Sequence, residues 1–135
     1  MNAVCIAFLA MYALLAGCSK AEPSSGTSSA TPPAPPTHPV TQAARDTFKA
    51  RCAPCHGEAG RADGPAIAKL PVKPPNFGDA VWQKGTTDEE IRKAILEGGP
   101  AVGKSPAMPA GHDLFDGKSD LLDGVVGLVR SFDGT

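Results

Sequence analysis

Two cysteines three positions apart, with a histidine directly after them, constrain this chain more than any other feature: Cys52-Ala53-Pro54-Cys55-His56. Thiols and an imidazole can bind metals or form covalent links. The chain has few aromatic residues for a core, namely five Phe, one Trp and one Tyr. A small domain with so little aromatic surface to bury benefits from a staple, and this motif is the place where one could be attached.

The order of these residues is typical of covalent haem attachment. Two cysteines at this spacing can each form a thioether with one of the two vinyl groups along one side of a porphyrin. The next residue, His56, is then held beneath the iron with little ordering entropy left to lose. The motif therefore predicts one haem c, bound through Cys52 and Cys55, with His56 as an axial iron ligand.

The motif has three alternative interpretations. A redox-active cysteine pair would need an α/β pattern around it, and the sequence contains no strand pattern. A structural zinc site would need four ligands, whereas only Cys52, Cys55, His56 and the distant His112 are available in the mature domain. A disulfide is possible in an oxidising compartment but leaves His56 unexplained.

Met108 is the candidate for the second axial ligand. It is the one methionine beyond the N-terminal apolar segment, and thioether ligation favours reduced iron and raises the reduction potential. Pro106 and Pro109 prevent a helix through this position, so Met108 is expected on a fixed loop. His112 is the rival ligand, and simple packing of Met108 also stays open. His38 is expected to be solvated.

Helical patterns dominate the chain after residue 40. Thr41 can cap the first helix, and Thr87 with Glu90 forms a capping box that opens the second. The close packing of the first helix would explain two glycines, Gly124 and Gly127, in the last one. No segment has a strand pattern, so the fold class is all-α. The predicted helices are Thr41 to Arg51, Ile91 to Glu97, and Ser119 or Asp120 to about Phe132.

On these motifs, residues 41–135 resemble class I cytochrome c in a compact bacterial form. The resemblance implies a small bundle of short helices around one covalent haem. It implies that the carbonyl of Pro65, in the turn Gly64-Pro65, accepts a hydrogen bond from His56. It also implies that Ala44 and Phe48 of the first helix face the last helix, where Val125 and Leu128 should meet Phe48.

The same resemblance gives a role to the stretch between the motif and the second helix. In relatives this stretch wraps the propionate side of the haem, so Asn76 or Trp82 could hydrogen-bond a propionate. Ordinary packing is an equal alternative for either residue.

The first forty residues have a different character. An apolar run of fourteen residues, from Ala3 to Ala16, is too short to span a membrane and predicts a signal peptide over residues 1–17. Leu15-Ala16-Gly17-Cys18 resembles the lipoprotein recognition box, so Cys18 is expected to carry lipid. A conventional cleaved signal and a short uncleaved anchor are the alternatives. Residues 18–40, rich in Pro and Ser, are expected to be a disordered, lipid-anchored linker.

The charge balance of the chain and its predicted export limit the functions and partners to be expected. With 13 Lys and Arg against 14 Asp and Glu and no basic run, nucleic acid is not an expected partner. The predicted function is a one-electron carrier and not an enzyme, anchored to a bacterial membrane and facing the periplasm, with Ser19 favouring the outer membrane. Its partners would be redox proteins. The alternatives are a haem subunit of a larger oxidase or dehydrogenase, and a sensor or peroxidase-like enzyme if Met108 is displaced.

Overall fold

The computed structural model describes residues 38–134. Within this range all regular structure is helical, which confirms the all-α class. The predicted signal peptide, residues 1–17, and nearly all of the predicted linker, residues 18–40, lie outside the described residues. The α-helices are α1 Gln42–Thr47, α2 Ala53–His56, α3 Ala80–Gly85, α4 Asp88–Glu97, α5 His112–Phe115 and α6 Ser119–Arg130. A π-helical segment, Phe48–Cys52, joins α1 to α2, and 3-10 turns occur at Ile67–Lys69 and Gly99–Val102.

The first helical stretch begins as predicted and then departs from the prediction. The side chain of Thr41 caps α1 by accepting a hydrogen bond from the Ala44 N–H at 3.1 Å. From Phe48 the backbone adopts π-helical geometry, and after Cys52 it continues as α2 to His56. Short π segments are common at functional sites, since they rotate the following side chains relative to a regular helix. The motif therefore lies on helical backbone and not in a loop.

Helix α4 confirms its predicted caps. Glu90 N–H donates to Thr87 Oγ1 at 3.2 Å, and Thr87 N–H donates to Glu90 Oε2 at 2.8 Å. The helix ends at Gly98, where φ is 83°, a conformation that favours glycine. Among the described helices, none is long and apolar enough to cross a membrane.

Helix α6 is the centre of the core, with contacts to α1, α4 and α5. Phe48, Val125 and Leu128 belong to one buried cluster, as predicted. A Cβ on Gly124 would lie 2.9 Å from Cβ of Ala44, which confirms the close approach of α1 at this position. The buried hydrophobic residues of this cluster are Ala44, Phe48, Ala53, Phe77, Ile91, Phe115, Leu122, Val125, Val126, Leu128 and Val129.

Two expectations about the segment before α1 are corrected. Gly127 faces the His38 carbonyl oxygen, which would lie 2.7 Å from a Cβ, and so it does not face the first helix. His38 itself is half-buried and not solvated. Its Nε2 lies 2.9 Å from Arg92 Nη2, and its Nδ1 lies 3.7 Å from Asp123. Arg92 of α4 and Asp123 of α6 also form an ion pair with each other. The sequence pattern did not reveal that these two residues would be partners of the histidine.

Candidate functional site

Both cysteines of the motif are half-buried free thiols. Burial, opposed by the nearby Arg51 and reinforced by Cys55, raises the pKa of Cys52 to about 11. A thiol with so high a pKa is protonated at neutral pH. Moreover, residues 38–134 contain no cluster of three or more His, Cys, Asp or Glu side chains that could hold a metal ion. The described residues therefore offer too few ligands for a structural zinc site.

The imidazole of His56 is prepared to act as a ligand. The residue is buried, and this burial lowers its pKa to about 4, so the ring is neutral at physiological pH. A neutral imidazole is the form that binds a metal. Nδ1 of this ring has no hydrogen-bond partner among the described residues. A buried polar atom without a partner is rare and needs an explanation. A role of this imidazole in holding a bound group would explain the unpartnered atom. Such a role also fits the two thiols of the same motif.

The ring of His56 packs against an aromatic side chain, Phe77. The two rings are stacked, with centroids 4.7 Å apart and an angle of 16° between planes. Phe77 is buried, and its N–H donates to the Gly60 carbonyl at 2.8 Å. Phe77 also contacts Trp82 at a centroid distance of 4.9 Å. Phe77, packed in turn against Trp82, thus supports one side of the histidine ring.

The turn containing Pro65 lies directly against the motif. A Cβ on Gly64 would lie 2.4 Å from the Pro54 carbonyl oxygen, and Ala66 N–H donates to that oxygen at 2.8 Å. The hydrogen bond predicted from His56 to the Pro65 carbonyl is not formed here, since Nδ1 makes none with the described residues. The role of Pro65 behind the histidine stays a prediction.

Met108 is held by the turn that follows α4. Gly99 N–H donates to the Met108 carbonyl at 3.0 Å, and Met108 N–H donates to the Ser105 carbonyl at 3.2 Å. The residue is half-buried on a loop, residues 103–110, which we call the methionine loop. His112, the rival ligand, is exposed and begins α5. The structure thus fixes the backbone of His56 and of Met108, on α2 and on the methionine loop respectively.

The two residues considered for a propionate contact have local partners. Oδ1 of Asn76 accepts a hydrogen bond from Gly78 N–H at 2.9 Å, which forms a turn. Trp82 is partly buried and packs against the core cluster. Each therefore has the ordinary packing or turn role that the sequence left open.

Sequence reasoning missed a buried polar pair near the site. Gln83 and Arg130 are buried and hydrogen-bonded to each other, with Arg130 Nη1 donating to Gln83 Oε1 at 3.0 Å. Arg130 interrupts the apolar face of α6, and this was the one signal that could have revealed it. Gln83 gives no such signal, because a single glutamine on a short helix is usually exposed.

A small all-α domain with two free thiols next to a buried imidazole in one motif fits the covalent attachment of a haem. The comparison with protein families agrees that the domain is of the haem-binding, c-type cytochrome class. Residues 39–127 match the family model described as "Cytochrome C oxidase, cbb3-type, subunit III". The chain belongs to this family of cytochrome c domains. Membership implies covalently bound haem c and indicates electron transfer.

Solved structures of c-type cytochromes resemble this chain. One is titled "KustC0563 c-type cytochrome", with 28% identity, a TM-score of 0.49, and coverage of 67% of this chain and 96% of that one. Another belongs to the "Kuenenia stuttgartiensis reducing HAO-like protein complex Kustc0457/Kustc0458", with 29% identity and a TM-score of 0.53. That match covers 70% of this chain but 43% of the other, so this chain spans less than half of it. Among curated proteins, no sequence matches significantly.

Proposed function

We propose that this protein is a one-electron carrier with a single haem c, attached through Cys52 and Cys55 and ligated by His56 and Met108. The observation that carries the proposal is the buried, neutral imidazole of His56 on the same short helix as a free thiol, one residue after it. Family membership supports the haem and its electron transfer. Met108 is supported by its half-buried place on a loop tied to the end of α4.

The bound haem would supply exchange of one electron between ferric and ferrous iron. The chain's own residues prepare for it in three ways. Burial of His56 keeps the imidazole neutral and ready to act as an axial ligand. The hydrogen bond from Gly99 N–H to the Met108 carbonyl restrains the backbone of the methionine loop, from which the thioether would reach the iron. His56 and Met108, on two different elements, would thus both bind the haem iron and leave no site for an exogenous ligand, which favours a carrier over an enzyme or a sensor.

The test is covalent haem attachment in protein expressed with a c-type cytochrome maturation system. We expect the intact mass to include one haem, and haem staining to persist on a denaturing gel. The double substitution Cys52→Ala with Cys55→Ala should abolish both signals, whereas Glu58→Gln should leave them unchanged. A reduced protein that binds carbon monoxide readily would instead support a sensor or a peroxidase-like enzyme.

We further propose that the domain is exported and tethered to a membrane by lipid on Cys18. The support is the Leu15-Ala16-Gly17-Cys18 sequence after a short apolar run. Cys18→Ser should move the protein from the membrane fraction to the soluble fraction without changing its absorption spectrum. Recovery of the variant and the wild type in the same fraction would contradict the tether.

In a second candidate function, the protein holds the same haem but is a subunit of a larger enzyme complex. The matching family is described as an oxidase subunit, and one similar structure comes from a protein complex. A haem subunit of a larger oxidase or dehydrogenase would copurify with its partner at a defined stoichiometry. A free carrier would elute from size-exclusion chromatography as a small protein and exchange electrons with its partners only transiently.

A further inference from the structure

A buried arginine joins the ends of three helices. Arg130, the last residue of α6, is 9% exposed. Its Nε donates to Asp88 Oδ1 at 2.7 Å, at the start of α4. Its Nη1 donates to the carbonyl of Gln83 at 2.8 Å, and Nη2 donates to the carbonyl of Thr86 at 2.5 Å. The guanidinium thereby satisfies carbonyl groups at the end of α3 that no further helical turn can satisfy.

The side chain of Gln83 is fixed on both sides. Its Oε1 accepts from Arg130 at 3.0 Å, while its Nε2 donates to the carbonyl of Phe77 at 2.6 Å and to the carbonyl of Val129 at 3.0 Å. The residue is 2% exposed. A buried amide with all these partners has one orientation. Removing the amide would leave buried polar groups without a hydrogen bond, which would lower the free energy of unfolding.

These contacts end at the candidate ligand. Gln83 holds the backbone of Phe77, and the Phe77 ring stacks on the imidazole of His56. A continuous path of direct contacts therefore runs from Arg130 through Gln83 and Phe77 to His56. A purely structural role would explain the links between helices. It would not require that the glutamine fix Phe77, whose ring stacks on the imidazole.

We propose that Gln83, supported by Arg130, is a positioning residue for His56. It fixes Phe77, and Phe77 fixes the plane of the imidazole. This inference rests on the proposed function, in which His56 is an axial ligand. The environment and orientation of an axial histidine tune the reduction potential of its iron. Gln83 therefore contributes to the potential without touching the histidine.

The test is a double-mutant cycle on the full holoprotein with Gln83→Met, which removes the amide at similar volume, and Phe77→Leu, which removes the stacked ring. Neither change alters net charge. We expect each single variant to change the ratio of reduced to oxidised protein at a fixed potential by about threefold, less than substitution of a direct hydrogen-bond partner would. The double variant should match Phe77→Leu alone, because Gln83 acts through Phe77.

Two further readouts separate positioning from general loosening. Leu122→Ala, in the core of α6 about two turns before Arg130, should lower the melting temperature without changing the reduced-to-oxidised ratio. The hyperfine-shifted haem methyl resonances of the oxidised protein, which depend on the imidazole plane, should move in Gln83→Met and not in Leu122→Ala. Additive effects of Gln83→Met and Phe77→Leu, or equal effects of Gln83→Met and Leu122→Ala, would overturn the inference. Failure of the wild type to attach haem would instead overturn the proposed function, and this inference with it.

Discussion

Gly99 and Met108 are joined by a hydrogen bond of 3.0 Å from the glycine N–H to the methionine carbonyl. This bond ties the methionine loop to the turn after α4. A Cβ on Gly99 would lie 2.1 Å from the Ser105 carbonyl oxygen and 3.2 Å from Cβ of Met108. No side chain fits there, so the position of the methionine depends on a glycine nine residues earlier.

Gly99→Ala should therefore displace the methionine loop. We expect a loss of about 1–3 kcal/mol in the free energy of unfolding, as for other overpacked sites, and a weaker sulfur-to-iron charge-transfer band in the oxidised protein. The matched control is Gly85→Ala at the end of α3, where a Cβ would meet nothing within 4 Å. An unchanged band in Gly99→Ala would mean that this turn does not restrain Met108.

The contact between α1 and α6 is equally close. Gly124→Ala should destabilise the fold by about 1–3 kcal/mol, because its methyl group would lie 2.9 Å from Cβ of Ala44. The double variant Ala44→Gly with Gly124→Ala transfers the methyl group from one helix to the other. Denaturant unfolding should find it more stable than the sum of the two single effects. Strict additivity would show that the two positions do not share this contact.

The ion pair between α4 and α6 should stabilise the fold more than a surface pair. Arg92 donates from Nε and Nη2 to Asp123 Oδ1 at 3.0 and 2.6 Å, and both side chains are less than one-third exposed. Asp123→Asn should cost about 1–2 kcal/mol in denaturant unfolding, since charge-assisted bonds contribute most when partly buried.

The control for this pair is Glu58→Gln. Its partner Lys49 lies at 3.6 Å, and both side chains are more than 70% exposed. We expect a change within about 0.5 kcal/mol. Equal losses in Asp123→Asn and Glu58→Gln would indicate that burial does not strengthen the Arg92 pair.

The sequence predicted the elements whose signals are local. The capping box of Thr87 and Glu90 depends on two residues three apart, and the structure confirms it. The apolar face of α6 repeats over 12 residues, and the helix begins at Ser119, one of the two start positions that the sequence predicts. The approach of α1 to Gly124 followed from the cost of glycine within a helix, which only close packing offsets.

The features that were missed depend on contacts between distant parts of the chain. Gln83 and Arg130 are 47 residues apart, and neither residue alone predicts their hydrogen bond. His38 was expected to be solvated because it follows a proline-rich segment, whereas its partners Arg92 and Asp123 come from two later helices. The π-helical segment from Phe48 to Cys52 changes the hydrogen-bond spacing within a sequence that otherwise reads as a regular helix.

Optical spectroscopy and redox titration of the Met108→Ala holoprotein test the central proposal most directly. If His56 and Met108 both ligate the iron, the oxidised wild type has a weak red sulfur-to-iron band and the variant lacks it. The reduction potential should then fall by on the order of 100 mV or more, given that axial ligation spans roughly 0.8 V among haem proteins. His112→Ala should retain both the band and the potential. A wild type without the band, or a Met108→Ala variant with an unchanged potential, would contradict the account.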